Sequence, residues 1–121
     1  MVFLTAPCTN EGEQPNGAPW PEDSAVRLNA YNQLVRAVAA ENPQTDSAVD
    51  LDGAVCPGGQ YTSTLDGVQV RNADGVHFTI AGGLILAPVL MPPIVAAGRA
   101  QMAGVTAHLV TSTTTSTTSA G

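Results

Sequence analysis

The sequence has no lysine: its four positive residues are Arg27, Arg36, Arg71 and Arg99, set against ten Asp and Glu for a formal net charge of −6. Nucleic-acid binding needs basic clusters that neutralise phosphates, and adhesion to anionic lipid needs a similar patch, so the charge balance argues against both. Aromatic residues make up only 4% of the chain, which leaves Ala, Val, Leu and Ile to build the core. Cysteine occurs twice, as Cys8 and Cys56, without the close spacing of zinc-ligand pairs. The two are either joined in a disulfide, which would close a long loop for about 4 kcal/mol in the chain-entropy account, or are buried free thiols. The start lacks a basic n-region, and "VFLT" is too short for the apolar core of a signal peptide.

The 121 residues correspond to one domain, large enough for a single core. "MVFLTAP" is an apolar, β-branched run stopped by proline and reads as a buried strand. A Pro-, Gly- and acid-rich loop, "CTNEGEQPNGAPWPED", follows and is long enough to be functional or disordered. Trp20 in this loop reads either as a stacking surface for sugar or as a lid on the core. "DSAVRLNAYNQLVRAVAAENP" is the clearest helix, with Asp23 or Ser24 as cap and Tyr31, Leu34, Val35 and Val38 as its apolar face; Asn42-Pro43 ends it. "SAVDLDGAV" reads as a second strand. Strand, helix and strand in that order point to α/β class and a parallel sheet. "LDGVQV" carries the Asp-Gly signal of a hairpin.

From Phe78 to Gly98 no residue is charged. The length suffices to cross a bilayer, yet Pro88, Pro92 and Pro93 and the weakly basic flanks favour a buried amphipathic helix, kinked or broken near the prolines. Residues 105–121, rich in Thr and Ser, read as a disordered tail.

The chemistry concentrates in "RNADGVHFT". An imidazole titrates near pH 6.5, about where general acid/base catalysis needs it. A carboxylate that accepts from one ring nitrogen fixes the tautomer and stabilises the imidazolium. Asp74 and His77 meet that requirement if the backbone turns between them, which Gly75 permits. Taken alone, such a pair is more often a turn and a surface histidine. Its place after a βα unit and before a helix that Thr79 can cap is where ligand-binding loops lie in open α/β sheets. Arg71, just ahead, reads as a solvated loop residue or as one that steers an anionic substrate. A metal site made of His77 and His108 lacks suitable spacing, and no cofactor motif is present.

"ADGVHFTIAGG" resembles the last sequence block of SGNH, or GDSL-like, hydrolases. "VFLTAPC", "WPEDSAVRLNAYNQLVRAVAAENP" and "SAVDLDGAVCPGG" resemble that family's late central strand, penultimate helix, and last strand with its loop. The pattern is most similar to extracytoplasmic SGNH domains of actinobacterial proteins, some of them fused after a membrane acyltransferase-3 domain. The resemblance implies a flavodoxin-like three-layer sandwich, with residues 1–104 as its C-terminal portion. It implies His77 as general base and Asp74 as its orienting partner. The chemistry implied is hydrolysis of an acyl ester of carbohydrate or lipid, or transfer of the acyl group to a carbohydrate acceptor, without a cofactor. It also places Cys8 and Cys56 near the loop end of the sheet, in an extracytoplasmic setting that favours their disulfide.

One block of that family is missing. No Gly-Asp-Ser occurs; Ser24, Ser47 and Ser63 lie outside such a context, and Asn29 and Asn32 fall within the helix, away from any oxyanion role. The chain is therefore expected to be part of a longer enzyme and inactive alone, with the edge of its first strand exposed. The alternatives are a non-catalytic binding module and a membrane-anchored fragment.

Overall fold

The computed structural model describes residues 1–116, with side chains through residue 104. Strand β1 (Val2–Leu4) pairs in parallel with β2 (Ser47–Val49), Phe3 opposite Ala48. Helix α1 (Ala25–Glu41) makes the crossover between them. Among the described residues β1 has no second neighbour, so this sheet has two strands and an open edge. The chain is thus mixed helix and strand with one short parallel pair.

α1 faces the sheet differently from the sequence pattern. Tyr31 and Leu34 are exposed, while Asn32, Val35 and Ala39 are buried. The cause is Asn32, whose side chain donates to the Ala6 carbonyl (2.9 Å) and accepts from the Ala6 amide (2.8 Å). This pair of bonds satisfies the backbone where β1 ends, and a buried amide without partners costs about 1–3 kcal/mol. Apolar periodicity cannot register a buried Asn, so the expected face was rotated. Ser24 holds the N-cap position without a side-chain bond. Asp23 is instead engaged by the Thr9 hydroxyl (2.7 Å) and the Glu11 amide, which ties down the long loop.

The second expected strand stops early. After Val49 the chain turns into a short helix, α2 (Leu51–Val55), because the Asp50 side chain caps it by accepting from the Gly53 amide. Thr5 bridges the parallel pair to this helix: its hydroxyl donates to Asp50 and accepts from the Asp52 amide. The hairpin β3 (Thr64–Leu65) and β4 (Val68–Gln69) turns at Asp66 and Gly67. Both have positive φ, 48° and 78°, as a type I′ turn requires.

Helix α3 (Ile80–Ser116) continues through Pro88, Pro92 and Pro93 without ending. This corrects the expected break. The prolines remove three amide donors, which strips the carbonyls of Leu84, Pro88 and Val89 of their helical partners. The helix is also less buried than expected: Ile80–Gly104 is long and apolar enough to cross a membrane, and of its most apolar 18-residue window, mean hydropathy 2.0, only 11% is buried. Of the expected tail, the backbone to Ser116 belongs to α3, and residues 117–121 lie outside the described residues.

The core centres on Cys8, Val55, Cys56 and Leu86, with Leu28, Leu51, Tyr61, Phe78 and Leu90 packed around it. Cys8 and Cys56 form a disulfide, and the Cys8 amide lies 3.0 Å from the Cys56 sulfur. The bond joins the segment leaving β1 to the end of α2. Replacing both cysteines with serine should lower stability by about 4 kcal/mol, from the loop-closure entropy restored to the unfolded chain; urea unfolding measures this, and an unchanged midpoint would contradict it.

Candidate active site

Asp74 and His77 lie in a six-residue loop, 72–77, closed by hydrogen bonds at both ends. The Asn72 amide donates to the His77 carbonyl (2.8 Å), and the Gly75 amide donates to the Asn72 carbonyl (3.0 Å). Arg71 and Phe78 form an antiparallel bridge beneath it. One Asp74 oxygen accepts from the Val76 and His77 amides (2.9 and 3.0 Å), an Asx-type turn. The other oxygen lies 2.9 Å from His77 Nδ1. The carboxylate thus fixes both the backbone that carries the imidazole and the orientation of its ring. His77 Nε2 makes no hydrogen bond among the described residues, and the side chain is 77% exposed.

These bonds also set the charge of the carboxylate. Donation by the Val76 amide, the His77 ring and the His77 amide holds the Asp74 pKa down to about 2. The carboxylate is therefore ionised at neutral pH and available to stabilise an imidazolium.

The loop is anchored to the carboxyl end of β1 at two points. The Asn10 amide donates to the Gly75 carbonyl (3.2 Å). Gly75 has φ 72°, and a Cβ there would stand 1.8 Å from the Asn10 carbonyl oxygen, so only glycine fits for both reasons. The second anchor is Arg71. Its side chain is buried, with 1% exposed, which corrects the reading of a solvated or substrate-steering residue. Nη1 donates to the Val76 carbonyl (2.6 Å) and Nη2 to the Cys8 carbonyl (3.0 Å). The guanidinium carbon stands 4.0 Å from the centre of the Phe78 ring, a cation–π contact. Burial pulls its pKa below the usual range, offset in part by the charges of Tyr61 and Asp74.

Behind the loop, Thr79 opens α3. Its hydroxyl accepts from the Gly82 amide (2.9 Å) and donates to the Gln69 carbonyl (2.7 Å), while its amide donates to the Val70 carbonyl. Gly82 lets the helix touch β4's exit: a Cβ there would come within 2.5 Å of the Val70 oxygen. His77 therefore projects from a rigid junction of strand, loop and helix.

Arg71 and Asn32 were missed by sequence reasoning as organising residues. The signal for Arg71 was its lone position between an apolar valine and the motif. No Ser or Cys nucleophile stands by His77 among its described hydrogen-bond partners. A cleft of about 450 Å³ lined by Met1, Val2, Asp46 and Gly98 lies at the amino end of the parallel pair, away from His77. A smaller cleft of about 170 Å³ between Thr9, Asp23, Leu28 and Tyr61 adjoins Cys8 at the carboxyl end. Trp20 is half-buried and lines neither. Cys8, Cys56 and Asp52 lie close enough to hold a metal ion, but the sulfurs are bonded to each other and offer no thiolate. The side chain of His108 lies outside the described residues.

Replacing Arg71 with Met leaves the Val76 and Cys8 carbonyls without donors and should lower stability by about 3 kcal/mol. Lys should not restore it, since one ammonium cannot reproduce the planar fork; urea unfolding of both variants checks this, and full rescue by Lys would contradict the clamp. The folded pKa of Asp74 lies below the unfolded value of about 3.9. Its contribution is therefore complete above that pH and fades as pH falls through about 2. A carboxyl carbon NMR titration should place the midpoint near the lower value; a midpoint at the ordinary carboxylate value would contradict the turn. Against known family models, curated proteins and solved structures, the chain matches none.

Proposed function

We propose that Asp74 and His77 are the acid/base half of a Ser-His-Asp site of SGNH type, acting on an acyl ester, with the serine supplied from outside this chain. The observation that carries the reading is the 2.9 Å contact between Asp74 and His77 Nδ1 with Nε2 left open. That is the orientation in which an imidazole accepts a hydroxyl proton through Nε2. Two further observations support it: the loop is bonded to the segment leaving the carboxyl end of a parallel strand, where α/β sheets place their sites, and Thr79 caps the helix that follows.

In this reading His77 takes the proton of a serine hydroxyl as its oxygen bonds to the ester carbonyl carbon. It then returns the proton to the leaving alkoxide. Water, or a carbohydrate hydroxyl, attacks the resulting acyl-serine, again losing its proton to His77, which passes it to the serine oxygen as the acyl–serine bond breaks. Asp74 stays ionised throughout. The fold extends to a flavodoxin-like three-layer sandwich by strands that join the open edge of β1. The disulfide suits an extracytoplasmic setting, and a preceding membrane acyltransferase domain would be the acyl source.

The missing Gly-Asp-Ser favours one competing reading, a binding module that lacks the chemistry. The two are separated by assaying ester hydrolysis of this chain alone and of the reading frame extended upstream. The chain alone should be inactive. The extended protein should be active and should lose about 10⁴-fold or more on His77→Ala, and about 10³–10⁴-fold on Asp74→Asn. Activity of the isolated chain that depends on His77, or an extended protein indifferent to His77, would overturn the proposal.

A further inference from the structure

The ten acidic residues all lie at or before Asp74, and from Gly75 onward Arg99 is the only Asp, Glu, Lys or Arg. α3 itself thus carries no acidic residue, although Asp46 of the domain lines a cleft with its Ala97 and Gly98. α3 is apolar on two opposite faces. One carries Gly82, Leu86, Leu90 and Ala97 and packs on the domain, Leu86 within the core. The other carries Ile80, Leu84, Pro88, Met91 and Val95, spaced at four, four, three and four residues, and it is bare: Ile80 is 88% and Leu84 72% exposed. At 1.5 Å per residue this strip is about 22 Å long. A continuous exposed apolar strip of that kind marks a contact surface.

We propose that this face seats the protein on a zwitterionic lipid bilayer, with α3 lying along the surface in the headgroup–acyl boundary. Three arguments select this occupant. The strip carries no charge, and the domain behind it is acidic, so it suits neutral headgroups and apolar depth rather than electrostatic capture by anionic lipid. A spanning helix would have to strip Gly82 and Leu86 from Val70 and the core, against which they pack. Pro88 and Pro92 free the carbonyls of Leu84 and Pro88, which lie on the bare face itself. In hydrocarbon, or in the dry seam of a dimer, each would be an unpaired polar group; in the interfacial layer water reaches them while the side chains stay in the lipid.

Ile80 follows His77 by three residues, which keeps the backbone that carries the imidazole within about 11 Å of the seated face. This consequence rests on the proposed acyl-ester chemistry: the substrate is an amphiphile whose ester lies at headgroup level, the acyl chain of a lipid or a lipid-borne carbohydrate.

The test is co-sedimentation of the full chain with phosphatidylcholine vesicles, independent of any activity. Binding should persist in high salt. Leu84→Glu with Met91→Glu should weaken partitioning at least about tenfold, and Ile80→Gln, at a position that supports no core contact, should weaken it measurably. Leu34→Glu on α1 should have no effect. Arg99 should remain cleavable by trypsin added outside sealed vesicles. Failure to sediment with vesicles would overturn the proposal, and dimerisation abolished by the same double variant would then identify a second copy as the occupant. Protection of Arg99 would overturn it in favour of a spanning helix. Hydrolysis failing while vesicle binding holds would sink only the catalytic reading.

Discussion

The guanidinium of Arg71 is the interaction on which the candidate site depends. It reaches in one direction to the carbonyl of Val76, inside the loop that carries Asp74 and His77. In the other it reaches the carbonyl of Cys8, on the segment leaving β1. Phe78 covers its face. A buried cation is costly unless its donors are used, and here two carbonyls and a ring share it. One side chain therefore fixes the loop to the sheet, and the disulfide of Cys8 with Cys56 carries the same tie on to α2. The parallel pair has only three residues per strand, too few to define a loop end by themselves. Covalent and charge-assisted ties do much of what a wider sheet would do.

Polar groups settle the register of the other elements too. Asn32 completes the backbone of Ala6, and Thr5 links β1 to the start of α2 through Asp50 and Asp52. The apolar core is small and built around sulfur, Val55 and Leu86. Much apolar surface is left bare on α1 and α3, and the edge of β1 is open. The bare strip of α3 begins at Ile80, three residues after His77 in the ordered loop.

Much of this was legible in the sequence, for identifiable reasons. The first strand, the hairpin at Asp66-Gly67 and the main helix followed from β-branched runs, turn chemistry and helical periodicity, which act over a few residues, although the first strand was expected to be buried and its Leu4 is exposed. The juxtaposition of Asp74 and His77 was legible because Gly75 and a three-residue spacing suffice to close the turn. The face of α1 was not, since a buried Asn obeys hydrogen-bond demand and is invisible to hydrophobic periodicity. Nor was the end of β2: "DLDGAV" alternates like a strand, but the Asp50 cap makes a helix of it. Arg71 looked like a loop arginine because its acceptors are backbone carbonyls, one five residues on and one 63 residues back, which leave no mark in the sequence pattern. α3 was expected to be buried because of its prolines and weakly basic flanks, and neither says what an apolar helix meets.

The central claim is that Asp74 holds His77 in one tautomer with Nε2 open to a hydroxyl. Nitrogen NMR of the imidazole at neutral pH tests it directly. In the neutral form of the ring the proton should sit on Nδ1 and be shifted downfield by the carboxylate, and both features should be lost in Asp74→Asn. A ring protonated mainly at Nε2, or one whose signals are the same in Asp74→Asn, would contradict it.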